Sequence, residues 1–334
     1  MKFCAAIGFS AFLVATTFTT IAFTPKNFFA RENHGCSSFS FSFSSSSSSS
    51  TKLKIVVGDT AEEFEARVDA TFEKATPKDP GLEAIVQGHF EGAISNQDLV
   101  TTTVRLLASK GYNGENTLLA TSLCCDELAR QLEDDLNGIY GKNFNLGGLA
   151  GFPFAGKTGF GAMAAHIPDD GYCLLVYGPQ VGVSADGTVG KVERSGIALV
   201  DTCCGSAVAA SEYVDAIMSG TKDVSTSIQT FLDFQQQMVQ ELLLPHGKRL
   251  ADAENRMIEL PYALYDSQDA LMTELVQTLS TSIKRGLSML GGIQIITGPD
   301  SPDYFVPLKF HSVNYRGEII DDMLDDLKGK AGGE

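Results

Sequence analysis

The sequence predicts an α/β protein, a sheet core flanked by helices with a small N-terminal helical subdomain in front of it. Three observations carry that prediction. Short apolar runs at residues 118–123, 172–177 and 196–200 are bounded by Asn, Gly and Pro, as interior strands of an α/β sheet are. Longer stretches between and after them repeat apolar residues at helical spacing. A polar, helix-patterned region precedes the first run and makes the subdomain.

Taken in order, residues 53–67 turn acidic and helical, with Phe64 and Val68 four apart, and Pro77, Pro80 and Gly81 close the segment. A second helix runs over 96–109 and stops at Gly111. These two fill a subdomain at 51–115. The strand at 118–123 is entered after Asn113-Gly114, and a helix begins at Cys124 and continues through Leu128, Leu132 and Leu136 to Gly138, leaving Cys124 at a strand's C-terminal end. Residues 211–246 and 251–290 read as long helices, and 293–297 with 304–313 return to strand. The core so defined spans 116–325, with a flexible tail at 326–334, and no repeat of fixed period is present.

Composition narrows the function. Of 334 residues 43% are hydrophobic, enough for a sizeable core, and 25 basic against 41 acidic residues give a net charge of −16. Such a surface repels phosphate backbones and anionic lipid, which argues against nucleic acid as a partner. Four of the seven cysteines form the vicinal pairs Cys124-Cys125 and Cys203-Cys204, unlike the spacing of a disulfide scaffold, so the thiols are expected to be reduced.

The first fifty residues read as an address. Lys2 is followed by an apolar stretch to about Phe23, diluted by Thr16, Thr17, Thr19 and Thr20, which fits a signal peptide better than a permanent anchor. Lys26, Arg31 and a serine tract from Ser37 to Ser50 follow, nearly free of acidic residues as transit peptides are. The Ala22-Phe23-Thr24-Pro25 junction resembles the phenylalanine-centred cleavage motif of the bipartite presequences of diatoms and related algae. Plastid delivery, without stable membrane insertion after processing, is the expectation.

Three segments carry soft or borderline metal ligands beside predicted strands: Cys124-Cys125-Asp126-Glu127, His166 before Pro168, and Cys203-Cys204-Gly205. Zn2+ takes thiolate and imidazole in a tetrahedral set and, in catalytic sites, keeps a position open for water. Without a Cys-x-x-Cys pair, the same residues read equally as small buried hydrophobes and a packed core histidine.

Across roughly residues 83–310 the chain resembles the limiting-CO2-inducible B/C protein family, the θ-type carbonic anhydrases of algae. The resemblance rests on Ser122-Leu-Cys-Cys-Asp-Glu-Leu128, Phe144-Asn-Leu-Gly-Gly-Leu149 running on to Gly156-Lys-Thr-Gly-Phe-Gly-Ala162, His166, Gly190-Lys-Val192, Cys204-Gly205 and Gly291-Gly-Ile-Gln294. It implies a β-carbonic-anhydrase-like core, reversible hydration of CO2 to bicarbonate in a plastid CO2-concentrating system, and a homodimer or a hetero-oligomer with a family paralogue. It also implies zinc on Cys124, His166 and Cys204, with Asp126 completing a Cys-x-Asp pair and Cys125 and Cys203 as neighbours. The related β-type pattern places an arginine where this chain has Leu128, so the partner of Asp126 must be Arg130, four residues on, or Arg194. His89 in Gly88-His89-Phe90 is a candidate for proton transfer, and six glycines between Gly147 and Gly161 allow close backbone approach to the site.

Two other readings compete. A family member can keep its ligands as a catalytically inactive zinc-binding scaffold. Gly151-Phe-Pro-Phe-Ala-Gly156-Lys157-Thr158 also satisfies the phosphate-loop pattern of a nucleotidase, yet Asn145-Leu-Gly-Gly-Leu149 is poor strand material, and such a loop needs a strand immediately before it.

Overall fold

The structure, a computed structural model, describes residues 61–72, 79–224 and 231–331. The predicted signal and transit segments lie outside the described residues. Along the chain come α1 (Ala61–Phe72), α2 (Pro80–His89), β1 (Ile94–Ser95), α3 (Asn96–Ala108), β2 (Thr117–Ser122), α4 (Arg130–Tyr140), β3 (Asn143–Asn145), α5 (Gly156–Ala165), β4 (Tyr172–Tyr177) and β5 (Gln180–Gly182). They are followed by β6 (Lys191–Val192), β7 (Asp201–Thr202), α6 (Gly205–Met218), α7 (Phe234–Leu243), α8 (Gly247–Asp252), α9 (Arg256–Leu279), β8 (Gly286–Ile296), β9 (Tyr304–Val313), β10 (Ile319–Asp322) and α10 (Leu324–Ala331).

The main sheet has the order β1-β9-β8-β4-β2-β3. β3, β2, β4 and β8 run parallel, while β9 is antiparallel to β8 and carries β1 and β10 antiparallel on itself. Every residue of β2, β4 and β8 is buried, as parallel strands covered on both faces must be. One face packs on α2, α5 and α9 through Val86, Phe160, Met163 and Met272. The other packs on α1, α3, α4 and α10 through Phe64, Val68, Leu107, Leu136 and Leu327. The helices of 61–108 therefore pack on both faces of the sheet, α2 on one and α1 with α3 on the other. A third cluster joins α6, α7, α8 and α9 to Cys124, Ala150 and Phe152.

Local chemistry sets the helix starts. The Ser95 hydroxyl accepts from Asp98 N–H at 3.1 Å and donates to the Asp98 carboxylate at 2.7 Å, fixing the first turn of α3. Asp79 caps α2 with Pro80 at its first position, and Asn255 accepts from Met257 N–H at 3.0 Å to start α9.

Several sequence expectations need correction. No helix begins at Cys124: Asp126 accepts from Leu128 N–H at 3.1 Å, caps a short 3-10 turn over 127–129, and delays α4 to Arg130. Residues 196–200 are an exposed loop, with Leu199 78% exposed, because β6 and β7 pair only at 191–192 and 201–202. The helix expected at 211–246 divides into α6 and α7, with Gly220 at φ +70° just past the end of α6. The helix expected at 251–290 ends at Leu279, and 286–290 is instead the start of β8. There the polar Ser288 is hidden by bonds to the hydroxyls of Tyr112 at 2.8 Å and Ser312 at 2.7 Å. The expected tail carries a helical turn through Ala331, anchored by the fully buried Leu327.

Candidate active site

β2 and β4 end together beside Gly291 of β8, since Ser122 pairs with Tyr177 and Tyr177 with Gly291, while β8 runs on to pair with β5. Ligand sites of open parallel sheets form beyond such strand ends. Two residues past β2, Cys124 is 2% exposed, and its Sγ lies 3.8 Å from Sγ of Cys204, which is 4% exposed. Gly147 makes the approach possible: a Cβ there would sit 2.1 Å from the Leu123 carbonyl oxygen. The vicinal pairs are told apart by this geometry, for Cys125 is exposed and Cys203 is buried against Val192 and Ile296.

Cys204 caps the N-terminus of α6, where the backbone N–H groups of Ser206 and Ala207 face its sulfur. The hydrogen bond from Cys124, with those amides, holds the Cys204 thiol below its ordinary value despite burial. The same contact and burial push Cys124 up, against backbone N–H groups of Asp126 and Ala150.

Asp126 follows two residues on. Arg194 Nη1 donates to its Oδ1 at 3.2 Å and Nη2 to its Oδ2 at 3.1 Å, and Arg194 also meets Glu127. The two side chains are each 14% exposed. Burial raises the Asp126 carboxyl, but hydrogen bonds from Arg194 and Leu128 N–H outweigh it and hold the group below the usual carboxylate range. Arg130 is not the partner: it bonds the Cys124 carbonyl and forms an ion pair with Glu133. The Nε2 of Gln180, a residue the sequence reading did not single out, donates to Asp126 Oδ2 at 3.1 Å.

Neither expected histidine joins the cluster. His166 caps the end of α5, exposed, with Nδ1 donating to the Ala162 carbonyl and its ring against Phe144. It follows α5 and precedes β4, with its ring 5.7 Å from that of Phe144 on β3, and no contact joins it to the cysteines. His89 Nε2 lies 3.1 Å from the Gly187 carbonyl, at the tip of the turn between β5 and β6. Nor is a phosphate loop formed: a 3-10 turn, not a strand, precedes Phe152, and Lys157 faces Glu274 at 3.7 Å.

The spacing of the two sulfurs fits zinc. With Zn–S of about 2.3 Å and tetrahedral angles, two thiolates sharing the ion lie roughly 3.8 Å apart, and the two sulfurs meet that spacing. Among the described residues, no third His, Cys, Asp or Glu side chain completes a cluster. The surrounding wall, Ala129, Ala150, Phe152 and Ala207, is apolar and buried.

The fold is shared with known proteins. Among curated proteins none matches the chain. The crystal structure of PtLCIB4, a homolog of the limiting CO2-inducible protein LCIB, is 43% identical, with TM-score 0.68 over 72% of this chain and 99% of that one. The crystal structure of limiting CO2-inducible protein LCIB itself shares the fold at 21% identity and TM-score 0.54, over 70% of this chain and 96% of that one. Residues 93–314 match the family model of limiting CO2-inducible proteins B/C β-carbonic anhydrases, and the chain belongs to that family.

Proposed function

We propose that this chain catalyses the reversible hydration of CO2 to bicarbonate at a zinc site built on Cys124 and Cys204. Membership of the family supports a carbonic-anhydrase-like, CO2-related function. The observation that carries the finer reading is the Cys124–Cys204 pair at zinc spacing, with an arginine-clamped carboxylate two residues after the first cysteine. When bound, zinc would supply a Lewis acid that lowers the pKa of water toward neutrality.

The chain's own residues do the rest. Cys124 and Cys204 would hold the ion, and their backbone amide partners stabilise the thiolate charge. Asp126 accepts a hydrogen bond from the attacking water and so orients its lone pair toward CO2. Arg194 holds both oxygens of the Asp126 carboxylate, so the carboxylate would not take the place of water on a bound ion. Ala150 and Phe152 receive the apolar substrate and exclude bulk water.

The displacement of His166 favours a second reading, an inactive scaffold of the same family. Metal analysis together with stopped-flow CO2 hydration on the full chain separates them. We expect one zinc per chain and measurable hydration, both lost in Cys124→Ala and Cys204→Ala and kept in Cys125→Ala and His166→Ala. Bound zinc without hydration selects the scaffold, and no zinc in the unaltered chain overturns the site.

We further infer delivery to a plastid, supported by the signal-like and serine-rich composition of residues 1–50. Fused to a fluorescent protein, residues 1–50 should enter the plastid, and Phe23→Ala should stall the fusion in the endomembrane system. Secretion of the unaltered fusion would sink this reading. No helix among the described residues is long and apolar enough to cross a membrane.

A further inference from the structure

Helices α1, α3 and α4 and the turn after β8 border a cavity of about 440 Å³, lined by neither Cys124 nor Cys204. We propose that it binds a small organic cation, one that carries an ammonium or guanidinium group on a short alkyl stem. The proposal stands apart from the zinc reading. Charge is the first observation behind it. Asp134 and Asp135 of α4 and Asp303 just ahead of β9 line the cavity, and among the described residues none of the three is paired with a cation. The donors they do meet are neutral: Gln131 Nε2 reaches Asp135 Oδ1 at 2.8 Å, and Thr297 N–H reaches Asp303 Oδ1 at 2.9 Å. Burial, with a neighbouring carboxylate added to it, pushes Asp135 up to about 6 and Asp303 up to about 7. A positive group in the cavity relieves both costs.

The second observation is an orphaned acceptor. Asn96, the first residue of α3, also lines the cavity, is 6% exposed, and its Oδ1 is buried with no hydrogen-bond partner. Its backbone N–H donates to the Asp303 carbonyl at 2.9 Å, which sets the amide close to that carboxylate in the fold. Leaving a buried amide oxygen without a donor is costly, and a ligand rich in N–H groups supplies one to it while meeting the carboxylates.

The cavity's own charges do not cancel. Arg130 on its wall is engaged by Glu133 and the Cys124 carbonyl, and Glu127 is engaged by Arg194, so the three aspartates are left over. An anion is therefore repelled. A bare metal ion does not fit either, because among the described residues no three His, Cys, Asp or Glu side chains converge on a point. The acceptors are spread, so the ligand must spread its donors. Phe72, Ile296 and Pro302 add apolar wall, against which an alkyl stem packs while its charged end stays among the carboxylates.

The test is calorimetric titration of the full chain with putrescine at about pH 8 and low salt, with the Asn96 side-chain amide followed by heteronuclear NMR. The unaltered chain should show one saturable site and a shifted Asn96 amide. Asp135→Asn and Asp303→Asn should each weaken putrescine by about 10-fold or more, the loss of one charge-assisted hydrogen bond. Asp134→Asn lies on the exposed side of α4, so it keeps the fold and should also weaken binding. Asp252→Asn removes an equal charge from a surface pair with Lys248 and should leave the affinity within about twofold, which separates a built site from attraction to an acidic chain. Three results overturn the proposal: no saturable binding to the unaltered chain, equal affinity in Asp134→Asn and Asp135→Asn, or displacement of putrescine by magnesium at equal ionic strength.

Discussion

At the scale of single residues, the Asp126–Arg194 contact decides what the carboxylate can do. Both oxygens are engaged, Oδ1 by Arg194 and Leu128 N–H, Oδ2 by Arg194 and Gln180, so the group is held in one orientation by four donors. Asp126→Asn keeps the volume but turns one acceptor into a donor that faces Arg194. We expect it to retain fold and metal while turnover falls on the order of 10²-fold, the cost of one oriented catalytic hydrogen bond. Arg194→Ala should lose comparable activity, because a freed carboxylate can swing to the open metal position. Arg130→Ala should lose far less, since its partners are a backbone carbonyl and Glu133. Steady-state hydration rates on the three variants check this, and full activity in Asp126→Asn would remove the carboxylate from the mechanism. The sequence left the choice between Arg130 and Arg194 open, because helical spacing brings Arg130 near only if a helix begins at Cys124. The Asp126 cap prevents that, and Arg194 arrives from a loop 68 residues away in sequence.

At the scale of elements, α4 is pinned across the ends of β2 and β3 by Glu133, which is 6% exposed. Its Oε1 accepts from Thr121 at 2.9 Å, Asn145 at 3.1 Å and Asn143, and Arg130 pairs with Oε2. Glu133→Ala strands several buried donors at once and should lower unfolding stability by about 3 kcal/mol, read from denaturant titration. The turn after β8 carries a different sensitivity. Burial pushes the Asp303 carboxyl up to about 7, in spite of bonds from Thr297, and Asp135 nearby is pushed up to about 6 by its own burial. Because the folded state holds this proton more tightly than the unfolded chain, its stabilising contribution is complete below about pH 4 and is lost as pH rises through 7. Asp303→Asn removes the titration, so its Tm relative to the unaltered protein should be higher at pH 8 than at pH 5. Equal differences at the two values would refute the assignment. Elements with a clean signature were legible in advance: β2 and β4 as short apolar runs with turn residues before them, α3 from its periodicity and Gly111. The start of β8 was not, since Gly286-Leu-Ser-Met-Leu continues an apolar rhythm that serves a buried helix or a buried strand equally. Nor was α5, whose three internal glycines hide a helix that packing on α9 enforces.

At the scale of the whole molecule, the sequence carried the fold class, and the path of the chain decided which candidate site residues meet. Cys124 and Cys204 meet because one follows a strand and the other begins a helix at the same sheet edge, a placement that strand-end reasoning can reach. His166 is not brought to them because it ends α5 against Phe144 of β3, a placement which no local pattern reveals. Gln180 went unnoticed because a lone glutamine carries no signal in the sequence, and only its burial and its bond to Asp126 bring it forward. What delivers Gln180 is the crossing where pairing along β8 passes from β4 to β5. There the backbones touch: a Cβ on Gly178 would lie 1.8 Å from the Gly292 carbonyl oxygen, at the point where β8 shifts register against β9. Backbone on both sides leaves no flexible side chain to yield, so Gly178→Ala must part β4 from β8 or lift the 178–180 peptide. We expect a loss of about 3 kcal/mol in stability, at the upper end of overpacking costs, and a fall in zinc affinity because β5, bonded through Gly182 to the Cys203 carbonyl beside Cys204, moves with the peptide. Gly161→Ala is the control, since nothing lies within 4 Å of its Cβ position inside α5, and it should gain about 0.5–1 kcal/mol with metal binding unchanged. Guanidinium unfolding and chelator competition on both variants give the answer. A Gly178→Ala protein as stable as the control, with zinc affinity intact, would mean that the crossing does not govern the site.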